Sequence, residues 1–185
     1  AFPQVPPTVM ILSNPLLPPP AELLTSGVAA VTSTDNRWIR CDIKSISLLP
    51  NVLLRQLAVD AGAVETILIR DGYLTEGSAS SIFVIKDQEL LAPPQSHLIL
   101  PGVTYEVVLE LAEANNIKYK IQDITEKELR QADEILLTSS TKEIMAVTRL
   151  DQQLVGNGKP GTKFSELHKL YQHYKATSMR ASITH

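Results

Sequence analysis

The chain has 185 residues, 44% hydrophobic and 20% charged, with a formal net charge of −3. This composition is typical of a soluble globular protein, and the acidic balance argues against a nucleic-acid partner, which normally requires a basic surface. Because no apolar run approaches the roughly 18 residues of a membrane span and Cys41 is the single cysteine, we expect a cytoplasmic protein without a membrane partner.

The N-terminal segment is rich in proline, since residues 1–20 hold seven of the twelve prolines. Within it, Thr8–Ser13 predicts one short strand and Pro18–Pro20 predicts a stiff linker. These residues could be the end of another unit followed by a hinge, or a strand and an arm of the same domain. Because the chain begins with Ala1 and not with methionine, we expect a processed protein or a fragment.

Beyond the prolines, strand and helix patterns alternate. The predicted strands cover residues 28–33, 37–44, 65–70, 73–75, 82–86, 89–92, 117–122, 133–138 and 143–150. The predicted helices cover residues 51–61, 103–115, a short segment after the capping box Thr125–Glu128, and 162–177. An Asp71-Gly72 hairpin turn joins strands 65–70 and 73–75, and a second hairpin joins 82–86 and 89–92. Because hairpins join these strands and helices join others, we expect an α+β fold with a mixed sheet.

The strand predicted over Arg37–Lys44 ends on a lysine, with Ile39 and Ile43 on its apolar face. A lysine on a rigid element can act as a nucleophilic amine if a cationic neighbour such as Arg37 or Arg40 lowers its pKa. Most lysines on half-exposed strands are simply solvated, so the local pattern leaves both roles open.

No metal site is predicted, because the chain has no cysteine pair and its histidines lack the spacing of ligands on one helix face. Instead, three short segments suit a phosphorylated aromatic ligand. Gly102–Thr104 opens a helix whose free N–H groups favour a phosphate, and Ser139–Thr141 ends a strand with three hydroxyls. Glu76 could accept a hydrogen bond from a ring nitrogen. Alone, each segment could equally be a helix cap, a turn or an exposed glutamate.

In order along the chain, five segments carry a resemblance to a known family: residues 40–45 (RCDIKS), 48–53 (LLPNVL), 75–78 (TEGS), 99–104 (ILPGVT) and 138–144 (TSSTKEI). As a set they are similar to the class IV aminotransferases, which are pyridoxal-phosphate enzymes of fold type IV. Within that family the sequence most resembles the D-amino acid aminotransferases, from about residue 17 to residue 174.

The resemblance implies a role for each site residue. Lys44 would hold pyridoxal 5′-phosphate as a Schiff base and then move a proton between the substrate and the cofactor. Glu76 would pair with the pyridine nitrogen, and Leu100 would pack on one face of the ring. The other implied cofactor-binding residues are Val103, Thr104, Ser140, Thr141 and Arg37. Of these, Ser140 and Thr141 would also lie beside the substrate carboxylate.

The resemblance also implies the domain organisation. Family members carry a smaller N-terminal domain of roughly a hundred residues before the large cofactor-binding domain. Residues 1–17 would be the last strand of that domain, 18–22 the linker, 23–178 the cofactor-binding domain and 179–185 a tail. One departure affects the surroundings of Glu76, because the chain has Ser81 where the family usually has asparagine.

The expected activity is ping-pong transamination between an amino acid, of the D series by its resemblance, and a 2-oxo acid, in a homodimer. Branched-chain aminotransferase and aminodeoxychorismate lyase activity remain alternatives on the same fold. An alternative of another class is a truncated, self-associating domain without catalysis. The 185-residue chain alone is expected to be inactive or weakly active.

Overall fold

A single mixed β-sheet organises the part of the chain that the computed structural model describes, residues 3–179. The strands are β1 (Val28–Thr34), β2 (Glu65–Arg70), β3 (Tyr73–Gly77), β4 (Ser81–Lys86), β5 (Glu89–Ala92), β6 (Tyr119–Ile121), β7 (Glu134–Ser139), β8 (Glu143–Leu150) and β9 (Gln153–Leu154). The helices are α1 (Ala21–Ser26), α2 (Leu49–Asp60), α3 (Val103–Ala114), α4 (Glu126–Arg130) and α5 (Thr162–Tyr174), and a π-helical turn, Lys175–Met179, follows α5.

The strand order is β3-β2-β1-β8-β7-β4-β5-β6, with β9 paired to β8. Strand β1 runs parallel to β2 and β8, and β5 runs parallel to β6. The other pairs are antiparallel, including the predicted hairpins β2–β3 and β4–β5. The α+β fold with a mixed sheet is therefore confirmed.

Two apolar clusters fill the opposite faces of the sheet. Strand β7 contributes to both, because Ile135 and Leu137 face one cluster and Leu136 faces the other. On the Leu136 side, helices α3 and α5 cover the sheet, and Phe83 of β4 stacks on Tyr105 of α3 with ring centroids 5.0 Å apart. Alternation of apolar side chains along a strand covered on both faces produces this arrangement.

The predicted capping box is also present. Thr125 Oγ1 accepts a hydrogen bond from the Glu128 backbone N–H at 3.1 Å, and Glu128 Oε2 accepts one from the Thr125 N–H at 2.8 Å. These two bonds satisfy donors that the first turn of α4 would otherwise leave free, which explains why so short a helix forms here.

The strand predicted over Thr8–Ser13 is wrong, because residues 3–20 form neither helix nor strand. Its apolar side chains are exposed, Ile11 at 88%, so no core face stabilises the extended pattern. Helix α1 follows directly on the prolines and was not predicted. Residues 1–2 and 180–185, parts of the predicted first segment and tail, lie outside the described residues.

The strand predicted over Arg37–Lys44 is also wrong, and the segment between β1 and α2 is irregular. Ile39, expected on a buried face, is 66% exposed. The backbone N–H groups of Cys41 and Asp42 donate to the carbonyl of His97, at 2.8 and 3.4 Å, and so are unavailable for a strand ladder.

Helix α2 begins two residues before its predicted start and turns a different face to the core. It buries Leu54 and Ala58, whereas the predicted stripe of Val52, Leu53 and Leu57 is exposed. Burial depends on which neighbour the helix meets, and here α2 packs against strands β1 and β2. Every helix within residues 3–179 falls short of the length and apolar character needed to cross a membrane.

Candidate active site

A cleft of about 370 Å³ opens where four chain segments meet, and this volume lies in the range of about 300–1,000 Å³ common for small-molecule sites. Its walls come from the irregular segment before α2, the β3–β4 turn, the first turn of α3, and the end of β7. The cleft brings together every site residue predicted from the sequence: Arg37, Lys44, Glu76, Leu100, Val103, Thr104, Ser140 and Thr141.

At the base of the cleft, Arg37 lies between two buried carboxylates. Its Nε and Nη2 donate to the two oxygens of Asp35, each at 2.9 Å, and its Nη1 donates to Glu76 Oε1 at 2.5 Å. The other oxygen of Glu76 accepts a hydrogen bond from the Leu100 N–H at 3.2 Å. Arg70 approaches Asp35 from the opposite side, with Nη2 3.1 Å from Oδ1.

The two carboxylates have opposite pKa shifts. Burial acts to raise the pKa of Asp35, but the hydrogen bonds and charge of Arg37 outweigh it and lower the pKa to about 2. Burial raises the pKa of Glu76 to about 7, because a single contact with the shared Arg37 compensates its charge only in part. Glu76 can therefore exchange a proton near neutral pH.

The raised pKa of Glu76 predicts a pH effect on stability. Its stabilising contribution is complete below the unfolded-state pKa of 4.5 and is lost as the pH rises through about 7. We expect the free energy of unfolding of the wild type to fall relative to Glu76→Gln over that window, by up to roughly 3 kcal/mol. Urea unfolding of the wild type and of Glu76→Gln between pH 4 and pH 8 measures this difference in the free energy of unfolding. The exposed control Glu113→Gln should keep the wild-type slope, and an unchanged slope in Glu76→Gln would contradict the assignment.

Another part of the cleft wall presents hydrogen-bond donors. The N-cap of α3, Gly102, offers no side chain to the first helical N–H groups, and Val103 and Thr104 follow it on the cleft wall. Thr138 also lines the cleft, and its hydroxyl is buried without a hydrogen-bond partner among residues 3–179. A buried hydroxyl without a partner is unfavourable. This donor set therefore fits a phosphate, and the carboxylate of Glu76 fits the nitrogen of an attached ring.

Lys44 lies on the exposed irregular segment, so the predicted position at the end of a rigid strand is wrong. The two arginines proposed as its cationic neighbours both have carboxylate partners. Arg40 makes a two-point contact with Asp42, at 2.9 Å for each bond, and Arg37 is held by Asp35 and Glu76. Neither arginine is left as an isolated positive charge.

Three residues at or behind the cleft were not predicted. Asp35 comes two positions before Arg37, a spacing that allows a local ion pair and was the available signal. Glu65 opens the apolar strand β2 and is fully buried, and a charged residue beginning such a strand was its signal. The unpartnered Thr138 has no signal in the sequence, because its burial depends on β4 and β8. Residues 3–179 contain no cluster of three or more side chains suited to a metal ion.

A family model for amino-transferase class IV matches residues 2–150 of the chain. D-alanine aminotransferase of Bacillus licheniformis is 44% identical over 155 residues, 84% of this chain and 54% of the relative. D-alanine aminotransferase of Staphylococcus epidermidis RP62A is 39% identical, over 84% of this chain and 55% of the relative. The chain thus spans about half the length of the curated relatives it matches.

Solved structures with the same fold are also related in sequence. The T.th. branched-chain amino acid aminotransferase with pyridoxamine 5′-phosphate matches with a TM-score of 0.78 and 26% identity, over 88% of this chain and 54% of that one. The branched-chain enzyme of Escherichia coli matches with a TM-score of 0.70 and 28% identity, over 79% of this chain and 51% of that one.

Proposed function

The chain belongs to the class IV aminotransferases, and on that basis we propose that it forms the pyridoxal-5′-phosphate-binding part of an enzyme that moves an amino group between a D-amino acid and a 2-oxo acid. The reaction is ping-pong, because one site serves the two half-reactions in turn. The observation that carries the proposal is the meeting of Lys44, the buried Glu76–Arg37 pair and the phosphate-binding donors in one cleft.

Bound pyridoxal phosphate supplies an electron-withdrawing ring that stabilises negative charge at the substrate Cα. Lys44 Nζ would hold the cofactor covalently, and its amine would move the proton between the substrate Cα and C4′ of the cofactor. Glu76 accepts the N–H of the ring nitrogen. Arg37 and the Leu100 N–H hold the two carboxylate oxygens of Glu76 in place for that contact.

The phosphate is held at the other end of the cleft. The N–H groups of Val103 and Thr104 point from the start of α3, where the helix dipole favours an anion. Ser140 and Thr141 complete the phosphate contacts from the turn after β7 and lie beside the substrate carboxylate. The Leu100 side chain lines the cleft and would pack on one face of the ring.

Identity to D-alanine aminotransferases of 39–44% supports a D-amino acid such as D-alanine as substrate. The second candidate is branched-chain transamination, which the structural similarity at a TM-score of 0.78 favours. Initial rates with D-alanine and with L-leucine, each with a 2-oxo acid, separate the two. A rate with L-leucine above that with D-alanine would reverse the order of the candidates.

The enzyme is proposed to act as a homodimer in the cytoplasm, with residues 23–178 as its cofactor-binding domain. The exposed apolar side chains of α2 support association, because such a surface gains stability when a partner covers it: Leu49, Val52, Leu53 and Leu57. The free, buried thiol of Cys41 supports a reducing compartment. Sedimentation equilibrium measures the association, and a monomer at high concentration would count against the dimer.

Covalent labelling tests the cofactor assignment. After incubation of the 185-residue chain with pyridoxal 5′-phosphate and reduction with borohydride, we expect peptide mass spectrometry to find a phosphopyridoxyl group on Lys44. Pyridoxal without its phosphate should label Lys44 less, because it lacks the contacts at α3. Lys118, an exposed lysine outside the cleft, is the internal control. Label distributed over surface lysines, or no label at Lys44 in either this chain or the complete gene product, would overturn the assignment.

A further inference from the structure

A second buried carboxylate lies directly behind the cleft. Glu65 is the first residue of β2 and has no exposed surface. An isolated charge at such a position would cost several kcal/mol, so its partners must compensate it. Apart from the Thr66 backbone N–H, which donates to Oε1 at 2.9 Å, those partners belong to two separate walls of the cleft.

One wall is the turn between β3 and β4. Glu65 Oε1 accepts hydrogen bonds from the backbone N–H and the hydroxyl of Ser78, the former at 3.1 Å, and Oε2 accepts one from the Ser80 hydroxyl at 2.8 Å. The amide of Asn51, near the start of α2, donates to the Ser78 carbonyl at 2.9 Å. This turn directly follows Glu76, so Glu65 fixes the chain beside the proposed ring-nitrogen contact.

The other wall is the turn after β7. Lys142 Nζ lies 3.2 Å from Glu65 Oε2, across 77 residues of sequence. Lys142 follows Thr141 directly, and its backbone N–H donates to the Ser139 hydroxyl at 3.1 Å, which closes the turn. Burial acts to raise the pKa of Glu65, but the charge of Lys142 and the two serine hydroxyls lower it below its ordinary value, so Glu65 stays ionised.

We propose that Glu65 and Lys142 are positioning residues that hold the β3–β4 turn, beside Glu76, and the Ser139–Lys142 turn, which carries phosphate contacts, at the separation that the ligand requires. The inference rests on the proposed function, because it concerns the same phosphate contacts. Neither residue lines the cleft, and each acts through the turn that it holds. Binding the ring nitrogen beside one turn and the phosphate at the other requires both turns to stay within a fraction of an ångström of their places.

The direction in which Glu65→Gln changes the affinity for phosphate distinguishes a positioning role from a direct electrostatic effect. If Glu65 acted only through its charge, Glu65→Gln would remove a negative charge near an anion and strengthen phosphate binding. If it acts by positioning, the same change weakens binding, because glutamine does not hold Lys142. Positioning also predicts that Glu65→Gln and Lys142→Met are not additive, since either one breaks the same link.

The test is isothermal titration of the 185-residue chain with inorganic phosphate and with pyridoxal 5′-phosphate. We expect Glu65→Gln, Lys142→Met and the double variant each to bind both ligands about tenfold or more weakly. Lys142→Arg should restore much of the affinity, and Lys118→Met should bind as the wild type does. Amide hydrogen exchange without ligand should be faster at residues 78–80 and 139–142 in the weakened variants, which a loss of charge alone would not produce.

Tighter phosphate binding by Glu65→Gln, or wild-type affinity in both single variants, would overturn the positioning role while leaving the proposed function intact. A wild-type chain that binds neither ligand would overturn the proposed function, and this inference with it. The Lys142 side chain is 22% exposed, so Lys142→Met should fold even where Glu65→Gln does not. Because Lys142→Met also removes a positive charge, its amide hydrogen exchange at residues 78–80, and not its affinity alone, then decides the question.

Discussion

Asp35→Asn is expected to lower the free energy of unfolding by about 3–5 kcal/mol, because breaking a buried ion pair leaves its partner charge uncompensated. Asp35 makes the two-point contact with Arg37, approaches Arg70, and accepts a hydrogen bond from the Thr75 hydroxyl at 2.9 Å. Asparagine keeps the shape but not the charge. It also has only one acceptor oxygen for this set of donors.

The pH dependence of the free energy of unfolding provides a second test of the effect of Asp35→Asn. Because the pKa of Asp35 falls from 3.8 to about 2 on folding, its stabilising effect is complete above pH 4 and is lost as the pH falls towards 2. The difference between wild type and Asp35→Asn in urea unfolding should therefore shrink over that range. Asp71→Asn, at an exposed turn in the same part of the sheet, is the matched control and should change stability by less than about 0.5 kcal/mol. Wild-type stability of Asp35→Asn at pH 7 would contradict the described network.

Lys44→Ala is expected to lower the rate of transamination by about 10²- to 10⁴-fold, because it removes the amine that carries the proton. The measurement is pyruvate formation from D-alanine with a 2-oxo acid as acceptor, in the complete gene product. Lys44 is exposed, so its loss should leave the folded structure intact, and circular dichroism checks this.

Chemical rescue separates an amine that reacts from a lysine that only contributes charge. Methylamine added to Lys44→Ala should restore part of the lost rate, since a small free amine can accept the proton in place of the side chain. The control Lys118→Ala should keep the wild-type rate with or without methylamine. An undiminished rate in Lys44→Ala would exclude the proposed role of this residue.

The secondary-structure elements that were predicted correctly from the sequence are those that neighbouring residues in the chain determine. The Asp71-Gly72 turn sets the β2–β3 hairpin, and the capping box at Thr125 sets α4. The site residues were proposed from the resemblance of five short segments to the class IV aminotransferases, since the local pattern of each segment left other roles open. Their meeting in one cleft required the fold, since the end of β7 and the β3–β4 turn become neighbours only through the pairing of β4 with β7.

The parts that could not be predicted depend on distant partners. Alternation over Arg37–Lys44 resembles a strand, yet the carbonyl of His97 and the buried carboxylates hold the segment in an irregular course. The buried face of α2 was misassigned for the same reason, because both of its faces are apolar and only the sheet selects one. Glu65 is a single acidic residue in the sequence, and its partner Lys142 lies 77 residues away.

The hydrogen bonds from the Cys41 and Asp42 N–H groups to the His97 carbonyl limit where residues can be inserted into the chain. Surface connections such as the one between β5 and α3 normally tolerate inserted residues well. Here one carbonyl of that connection holds the segment carrying Lys44, and Leu100 follows three positions later. An insertion between residues 93 and 100 would displace the lysine and the proposed ring-packing leucine together. We expect this stretch, which is exposed only at residues 95–97, to keep a fixed length among functional variants, while the turns at the far edge of the sheet vary freely.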